Sequence, residues 1–306
     1  MRFSPSSRNL LTFCALLLIT LVCLPWFLSL YIAGMLTIAL YFSVFTMSWD
    51  LLFGYSGEVN FGPTFLIGIG AYAAALLNVN AGLPVFACVL LGTLTAVLAG
   101  LLLVAPALRL RGPYFCLITL VSVLVLQEFI TIFAQYTGGE IGMTLPGVLS
   151  ASGMVNYYLA LALVCVSAGV FLGITSSPVG LILQAGAQDP VAAESLGFNI
   201  VKYKVLAFSL SAFFSGLSGA MLVFYMGTAS VSIVVSVSVI LQIIIAAIIG
   251  GRRTIVGPIL GSLFIIITGQ WLQYLGQLDY AAVAILALII LLFFPDGIAG
   301  IILRRH

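Results

Sequence analysis

The side chains that could do acid–base, nucleophilic or metal chemistry are few in this sequence, and they are scattered. Among 306 residues there are ten basic residues, eight acidic residues and one histidine, His306, at the last position. The five cysteines lie inside apolar stretches without a Cys-x-x-Cys spacing, which is typical of small buried hydrophobes. The sequence therefore lacks the residues for a histidine-based triad, metal site or proton relay. The sequence predicts no catalytic residue, no metal site and no cofactor held by this chain.

One polar segment, 189–197, nevertheless carries the start and stop signals of a short helix: Asp189-Pro190-Val191-Ala192-Ala193-Glu194-Ser195-Leu196-Gly197. Asp189 can accept hydrogen bonds as the N-cap, Pro190 suits the first helical position, and Gly197 can adopt the left-handed conformation that ends a helix. Helices this short rarely persist alone in water, so we expect a partner surface to hold it. A capped loop that only connects two longer segments is the alternative that the local signals leave open.

The composition restricts the class of protein in which these polar residues are placed. Hydrophobic residues make up 63% of the chain and charged residues 6%, which is too little polar surface to cover a soluble domain. Apolar runs of about 20 residues, the length that crosses the hydrocarbon core of a bilayer, indicate an all-α, polytopic transmembrane helical bundle. About ten spans fit the runs: 10–29, 31–53, 62–79, 84–108, 112–134, 155–176, 204–226, 235–251, 255–275 and 279–295.

The basic residues test this count and set the orientation. Lysine and arginine occur at five places: Arg2/Arg8, Arg109/Arg111, Lys202/Lys204, Arg252/Arg253 and Arg304/Arg305. With ten spans and the N-terminus inside, every pair falls on one side, as the positive-inside rule requires. Both termini and the loop 177–203, which contains the capped helix, are then predicted to be cytoplasmic. The segments 135–154 and 227–235 are predicted to lie outside.

The segment 54–62 interrupts otherwise apolar sequence with three glycines and two polar side chains. Backbone that leaves helical geometry at membrane depth must line protein or water, and such breaks often mark a pathway. Four residues of this segment are therefore candidate members of a translocation path: Tyr55, Gly57, Glu58 and Asn60. An ordinary cytoplasmic turn between two spans is the alternative.

Gln127 and Glu128 are two further path candidates, because they lie together well inside a predicted span. Ionisable side chains inside a membrane are costly and usually face an interior or a water path. A carboxylate at Glu128 that reaches the outer surface is the alternative. Asp50 lies near the inner end of its span, where solvation would account for it.

Across most of its length the sequence resembles the permease subunits of branched-chain amino acid ABC importers, of the LivM type. The most specific block is Ala192-Ala193-Glu194-x-x-Gly197, which continues through Tyr203-Lys204-x-x-Ala207-Phe208-x-x-Ser211-Ala212-Phe213-Phe214-x-Gly216-Leu217-x-Gly219-Ala220. The other blocks are Gly54-Tyr55-x-Gly57 with Gly62 and Gly68-Ile69-Gly70-Ala71-Tyr72, Arg109-Leu110-Arg111-Gly112-x-Tyr114, Thr137-Gly138-Gly139, Gly250-Gly251-x-x-Thr254-x-x-Gly257-Pro258 and Phe294-Pro295-x-Gly297.

This resemblance implies that the whole chain, 1–306, is a single transmembrane permease domain of the bacterial inner membrane. In the family, the Ala-Ala-Glu-x-x-Gly motif resembles the cytoplasmic coupling helix that seats in a groove of the ATPase subunit. The residues expected to couple the chain to the ATPase are therefore Asp189, Pro190, Ala192, Ala193, Glu194 and Gly197. The sequence contains no GxxxxGK[ST] motif, so ATP is expected to be bound by partner subunits.

The expected partners are ABC ATPase subunits, a second permease chain that is either related or identical, a periplasmic substrate-binding protein, the small-molecule substrate and membrane lipid. Nucleic acid is not expected. The substrate class that the resemblance implies is branched-chain or other hydrophobic amino acids; urea, short amides and other amino acids are alternatives within the same transporter type. A secondary carrier or channel would share the spans but would need no docking helix.

The chain also departs from the family pattern before the coupling helix. Relatives usually carry basic side chains at positions that are Pro178, Leu181, Gln184 and Ala187 here, and Pro190 stands where an acidic residue is frequent. We therefore expect either a contact with the ATPase that is more apolar and less electrostatic, or a dedicated ATPase partner.

Overall fold

Helices follow one another along almost all of the chain that the computed structural model describes, namely residues 16–107 and 113–272 together with Gly297. The elements in chain order are α1 (Leu16–Trp26), α2 (Leu30–Tyr55, ending in a π-helical turn at Leu51–Tyr55), α3 (Pro63–Ala81), α4 (Val85–Ala107), α5 (Pro113–Ile132), α6 (Ala134–Thr137), β1 (Met143–Thr144), α7 (Gly153–Thr175), α8 (Pro178–Gln188), α9 (Pro190–Ser195), α10 (Ile200–Met226), β2 (Thr228–Ala229), α11 (Val231–Val234), α12 (Val237–Gly250) and α13 (Val256–Leu272). The predicted all-α class is confirmed, with one short ribbon added to it.

Seven of the described helices are long and apolar enough to cross a membrane: α2, α3, α4, α5, α7, α10, and α12 taken together with α11. The helices α1 and α13 are apolar but shorter within the described residues. Nine of the ten predicted spans coincide in position with these nine segments. The tenth, 279–295, and both chain ends lie outside the described residues, so the cytoplasmic placement of the termini stays a prediction.

The helices α2 and α10 lie at the centre of the bundle, where their side chains are the most deeply buried among the spans. The helix α10 packs against α3 and α4, and α2 packs against α7, α10 and α13. Glycines permit the close approach, since a methyl group added to Gly70 of α3 would lie 2.5 Å from the carbonyl oxygen of Gly216 in α10. Lipid supplies little hydrophobic driving force between helices, so such close packing stabilises the bundle.

A two-stranded ribbon joins two loops at one end of the bundle. Met143 of β1 pairs with Ala229 of β2 in antiparallel register, and Thr144 pairs with Thr228. The ribbon is extended by the backbone N–H of Leu145, which donates to the carbonyl oxygen of Gly227 at 2.9 Å. The segments 135–154 and 227–235, which the sequence predicts as separate outer loops, are therefore one connected structure.

Candidate coupling site

The helix α9 has the caps that the sequence predicts. The Oδ1 atom of Asp189 accepts hydrogen bonds from the backbone N–H groups of Val191 and Ala192, both at 3.0 Å, and Pro190 is the first helical residue. Gly197 has a φ of +90°, and its N–H donates to the carbonyl oxygen of Glu194 at 2.9 Å. Each end of this short helix is thus fixed by its own sequence.

Segment 177–203 contains more helix than a loop, which corrects the predicted boundaries. Residues 178–188 form α8, which begins at Pro178 with Ser177 as N-cap; the Oγ of Ser177 accepts the N–H of Val179 at 3.2 Å. The helix α10 begins at Ile200 rather than at Lys204, because Asn199 caps it by accepting the N–H of Lys202 at 3.1 Å. The predicted span missed the first turn of α10, 200–203, because that turn carries the charged Lys202.

Most residues of α9 are exposed, and Ala193 is the buried one. Two apolar side chains of this segment, Val191 at 64% and Leu196 at 76% exposure, stand on either side of the exposed Glu194 along the chain. Apolar side chains this exposed in a segment outside the spans are typical of a surface that meets another protein. The apolar contact with the ATPase that the departures from the family pattern led us to expect stays a prediction.

The break after α2 re-enters the bundle instead of turning at its surface. The indole Nε1 of Trp49 donates to the carbonyl oxygen of Asn60 at 2.6 Å, and the N–H of Phe61 donates to the Oγ1 of Thr119 at 3.1 Å. Trp49 lies six residues before the end of α2, which places Asn60 roughly 9 Å inside that end. The Oδ1 of Asn60 accepts the N–H of Gly62 at 2.7 Å, so the buried side chain supports the non-helical backbone. Of the two alternatives that the sequence left open, these contacts favour a break inside the bundle, whereas its role in a translocation path stays a prediction.

Asp50 is buried, which corrects the expectation of a solvated carboxylate. Its side chain is 1% exposed, and its Oδ2 accepts the backbone N–H of Arg253 at 3.1 Å. Arg253 in turn donates from Nε to the carbonyl oxygen of Gly54 at 2.7 Å and accepts the hydroxyl of Tyr55 on its own carbonyl at 2.9 Å. These bonds join the π-helical turn of α2 to the loop between α12 and α13. Single π turns inside α-helices occur frequently at functional sites.

The same end of α2 also contacts α8 and α10. Gly57 has a φ of +73°, and a methyl group added to it would lie 2.9 Å from the Cβ of Ala187 in α8. Glu58 forms an ion pair with Lys204 of α10 at 2.5 Å between Oε1 and Nζ. We call the set of contacting residues the junction; its members are Asp50, Gly54, Tyr55, Gly57, Glu58, Ala187, Lys204 and Arg253. The end of the bundle that contains it is called the basic end, after Lys202, Lys204, Arg252 and Arg253.

The six candidate path residues do not form one site. Tyr55, Gly57 and Glu58 belong to the junction, and Asn60 lies deeper in the bundle. Gln127 and Glu128 lie in the half of α5 far from its Pro113 end. There the Nε2 of Gln127 donates to the carbonyl oxygen of Val235 at 3.3 Å, while Glu128 is exposed.

Sequence reasoning missed the junction partners Arg253, Lys204 and Ala187 as site residues. The first two were noticed only for their charge.

The family model described as "Branched-chain amino acid transport system / permease component" matches residues 31–293. The chain belongs to this family. It is 25% identical over 316 residues to the "High-affinity branched-chain amino acid transport system permease protein LivM" of Escherichia coli (strain K12), which covers 94% of the chain and 74% of that relative. It is also 25% identical to the LivM protein of Salmonella typhimurium, over 92% of the chain and 73% of that relative.

A more distant relative covers less of the chain. The "Probable branched-chain amino acid transport permease protein LivH" of Methanocaldococcus jannaschii is 28% identical over 142 residues, 44% of each chain. No solved structure matches the chain significantly. Membership of the permease family, together with the seven apolar helices, makes the chain a multi-pass transport protein of the bacterial inner membrane.

Proposed function

We propose that this chain is a permease subunit of an ABC importer that moves branched-chain or other hydrophobic amino acids across the inner membrane, driven by separate ATPase subunits. The observation that carries the proposal is α9. A helix of six residues does not persist alone in water, yet this one is capped at both ends and exposes apolar side chains away from the bundle. A groove on an ATPase subunit supplies the surface that such a helix lacks, with Asp189, Pro190, Ala192, Ala193, Glu194 and Gly197 as the contacting segment.

The junction gives the movement of α9 a route into the membrane. Asp189 directly follows α8, which contacts the turn after α2 where Ala187 meets Gly57. The same turn is joined to α10 by the Glu58–Lys204 ion pair and to the α12–α13 loop by Arg253. Packed elements transmit displacement as rigid bodies because their cores do not deform continuously. A shift of α9 that follows ATP binding in the partner subunits therefore moves the broken end of α2, and the spans reorient without covalent chemistry.

The exposed face of α5 supports a second permease chain as a partner. Glu128 stands on the outward side of α5 beside exposed apolar side chains, among them Val125 and Ile132. A carboxylate that faces lipid is costly, whereas one that faces a neighbouring subunit or a water-filled path between subunits is not. We therefore place the second permease, and the path that Gln127 and Glu128 border, against α5.

The ribbon at the opposite end is the surface proposed to receive the periplasmic binding protein. It holds together the two loops predicted to lie outside, and Ile141 in the first of them is 94% exposed. An exposed isoleucine beside an ordered ribbon suits a protein contact. The binding protein would deliver the amino acid here.

The proposal is tested by affinity purification of the tagged chain from native membranes, with identification of the proteins that co-purify and assay of ATPase activity. We expect a P-loop ATPase and a second permease to be recovered, and Glu194→Arg to abolish recovery of the ATPase. Glu140→Arg, the same charge reversal at an exposed residue of the opposite end, should leave it intact. Stimulation of ATPase activity by leucine, isoleucine or valine, but not by urea or a short amide, would identify the substrate class. A chain that purifies alone and moves solute without ATP would contradict the proposal and identify a carrier or channel.

A further inference from the structure

A cavity of about 370 Å³ lies at the basic end of the bundle, beside the junction. Three parts of the chain enclose it: the end of α2 with the turn after it, the end of α8, and the α12–α13 segment. The lining residues used below are Phe53, Gly57, Ala187, Ile248, Arg252 and Arg253. The volume falls in the range of about 300 to 1,000 Å³ that is usual for small-molecule sites.

The charge on the wall of this cavity is positive. The guanidinium of Arg252 lies over the ring of Phe53, 5.4 Å from its centroid, which holds the group against the cavity. Arg253 uses its Nε to bind the carbonyl oxygen of Gly54, and its other guanidinium N–H groups have no acceptor within the described residues, so they can serve as donors. Two guanidinium groups at one cavity match the geometry of a phosphate, whose oxygens accept paired hydrogen bonds.

The nearby carboxylates are already engaged elsewhere. Among the lining residues that the structure describes, none is acidic. The carboxylate of Asp50 accepts the backbone N–H of Arg253 and lies inside the bundle, and Glu58 pairs with Lys204. Within the described part of the chain, no carboxylate oxygen lies within 4 Å of a side-chain nitrogen of Arg252 or Arg253. Among the described residues, the two cationic groups therefore have no anionic side-chain partner, and the cavity suits an added anion.

The position of the cavity relative to the ends of the spans indicates whether the anion comes from a lipid or from the partner protein. Phe53 belongs to the last turn of the α2 span, and Ile248 lies two residues before the end of α12. The cavity is thus level with the ends of two spans, where the headgroups of a bilayer lie. The exposed side chains of α9, the proposed contact with the ATPase, lie in the segment that follows α8 and are not among the lining residues of the cavity. Basic pockets between spans on the cytoplasmic side are a known kind of anionic-lipid site.

We propose that this cavity binds the phosphate of an anionic phospholipid from the inner leaflet, with Arg252 and Arg253 as its donors. Phe53 and Ile248 contribute the apolar side of the site, against which the glycerol backbone and the first acyl carbons pack. The assignment to the inner leaflet rests on the orientation of the proposed function.

A phospholipid in this position would act on the coupling path. It would contact Ala187, two residues before the cap of α9, and at the same time Arg252 in the loop that Asp50 anchors. The lipid would therefore hold the end of α8 to the α12–α13 loop. This consequence also rests on the proposed function, whereas binding of the lipid does not.

The test is a titration of the purified full chain with dioctanoyl phosphatidylglycerol, dioctanoyl phosphatidylcholine, glycerol 3-phosphate and inorganic phosphate, with the apparent Kd as readout. We expect phosphatidylglycerol to bind most tightly. Arg252→Gln should weaken its binding on the order of fivefold, the loss expected for one basic residue at an anionic surface. Arg252→Lys keeps the charge but loses the paired N–H donors and the planar stacking on Phe53, so its affinity should fall between those of the unchanged chain and Arg252→Gln. Lys202→Gln is the matched control, because Lys202 is an exposed cation at the same end outside the cavity lining.

Four results would overturn the proposal. One is equal binding of phosphatidylglycerol and phosphatidylcholine. Another is an equal loss of affinity in the Arg252→Gln and Lys202→Gln variants, which would indicate a diffuse surface charge. The third is unchanged lipid binding in Arg252→Gln with reduced recovery of the ATPase, which would mean that the cavity receives an acidic group of the partner protein. Tighter binding of glycerol 3-phosphate or free phosphate than of the lipid would identify a soluble phosphate as the ligand instead. Because the binding assay needs no ATPase, its result can be interpreted even if the proposed function fails.

Discussion

The backbone N–H of Arg253 donates to the buried carboxylate of Asp50, 3.1 Å away and 203 residues earlier in the chain. This hydrogen bond places the α12–α13 loop on the π-helical turn of α2. A methyl group added to Gly54 would lie 2.6 Å from the Oδ1 of Asp50, so the glycine leaves room for the carboxylate inside the turn. The π turn, the carboxylate and the loop therefore form one arrangement, and a change in any of them should alter the structure of the other two.

Asp50→Leu should destabilise the protein by about 1–3 kcal/mol, because it leaves the buried N–H of Arg253 without its acceptor. Asp50→Asn retains an acceptor oxygen and should cost less. Thermal unfolding of the purified chain in detergent measures the difference, and amino acid uptake in vesicles should fall in the same order. Equal unfolding temperatures for the two variants would show that the hydrogen bond does not hold the loop.

Lys204→Glu should lower uptake, because it places two carboxylates where the Glu58–Lys204 ion pair now joins the turn to α10. Both side chains are less than one-fifth exposed, at 16% and 18%, so solvent screens the pair only in part. The double variant Glu58→Lys with Lys204→Glu should recover part of the uptake. A double-mutant cycle on stability should give a coupling energy of about 1 kcal/mol. Uptake by the double variant no better than by Lys204→Glu alone would contradict a role for the pair.

Gly57→Ala should reduce ATP-driven uptake, whereas Gly82→Ala should not. Both glycines have positive φ, at +73° and +62°, so each variant pays a similar backbone strain of about 1–2 kcal/mol. A methyl group on Gly57 also meets Ala187 of α8, while one on Gly82 has no atom within 4 Å. Comparison of the two variants therefore separates strain from contact. Equal uptake in both would remove Gly57 from the coupling route.

Glu194→Arg or Gly197→Pro should abolish ATP-dependent uptake while membrane insertion is retained. The first variant reverses an exposed charge on α9, and the second forces a negative φ on a residue whose φ is +90°. Asp189→Ala should act more mildly, since loss of an N-cap costs about 1 kcal/mol. Uptake in vesicles and the amount of chain in the membrane fraction are the two readouts. Normal uptake in either of the first two variants would remove the coupling-helix assignment.

Local signals predicted the spans and the caps of α9 because each depends on residues close together in sequence. An apolar run long enough to cross a membrane can adopt few structures other than a transmembrane helix. Asp189, Pro190 and Gly197 act within one short segment. The helix α8 was missed because it is a short helix outside the spans, and two glycines interrupt its mostly apolar sequence. Its start signal, Ser177 followed by Pro178, is of the same kind as Asp189-Pro190 and was overlooked.

The junction could not be predicted because its contacts join distant parts of the chain. Asp50 and Glu58 were noticed as isolated carboxylates, but the sequence does not say that Arg253 and Lys204 reach them. The ribbon between β1 and β2 is likewise invisible in sequence, because strands of two residues have no period. The grouping of Gln127 and Glu128 with the 54–62 segment rested on their shared polarity, and the structure separates them.

The ribbon has a consequence for the order of events in transport. Gly227, whose carbonyl oxygen binds Leu145, directly follows α10, a helix of 27 residues and about 40 Å in length. The other end of that helix carries Lys204. A single helix therefore connects the ribbon to the junction. Under the proposed function, a loaded binding protein that presses on the ribbon would act through this helix on the junction, and the ATPase would receive that signal before any nucleotide is hydrolysed.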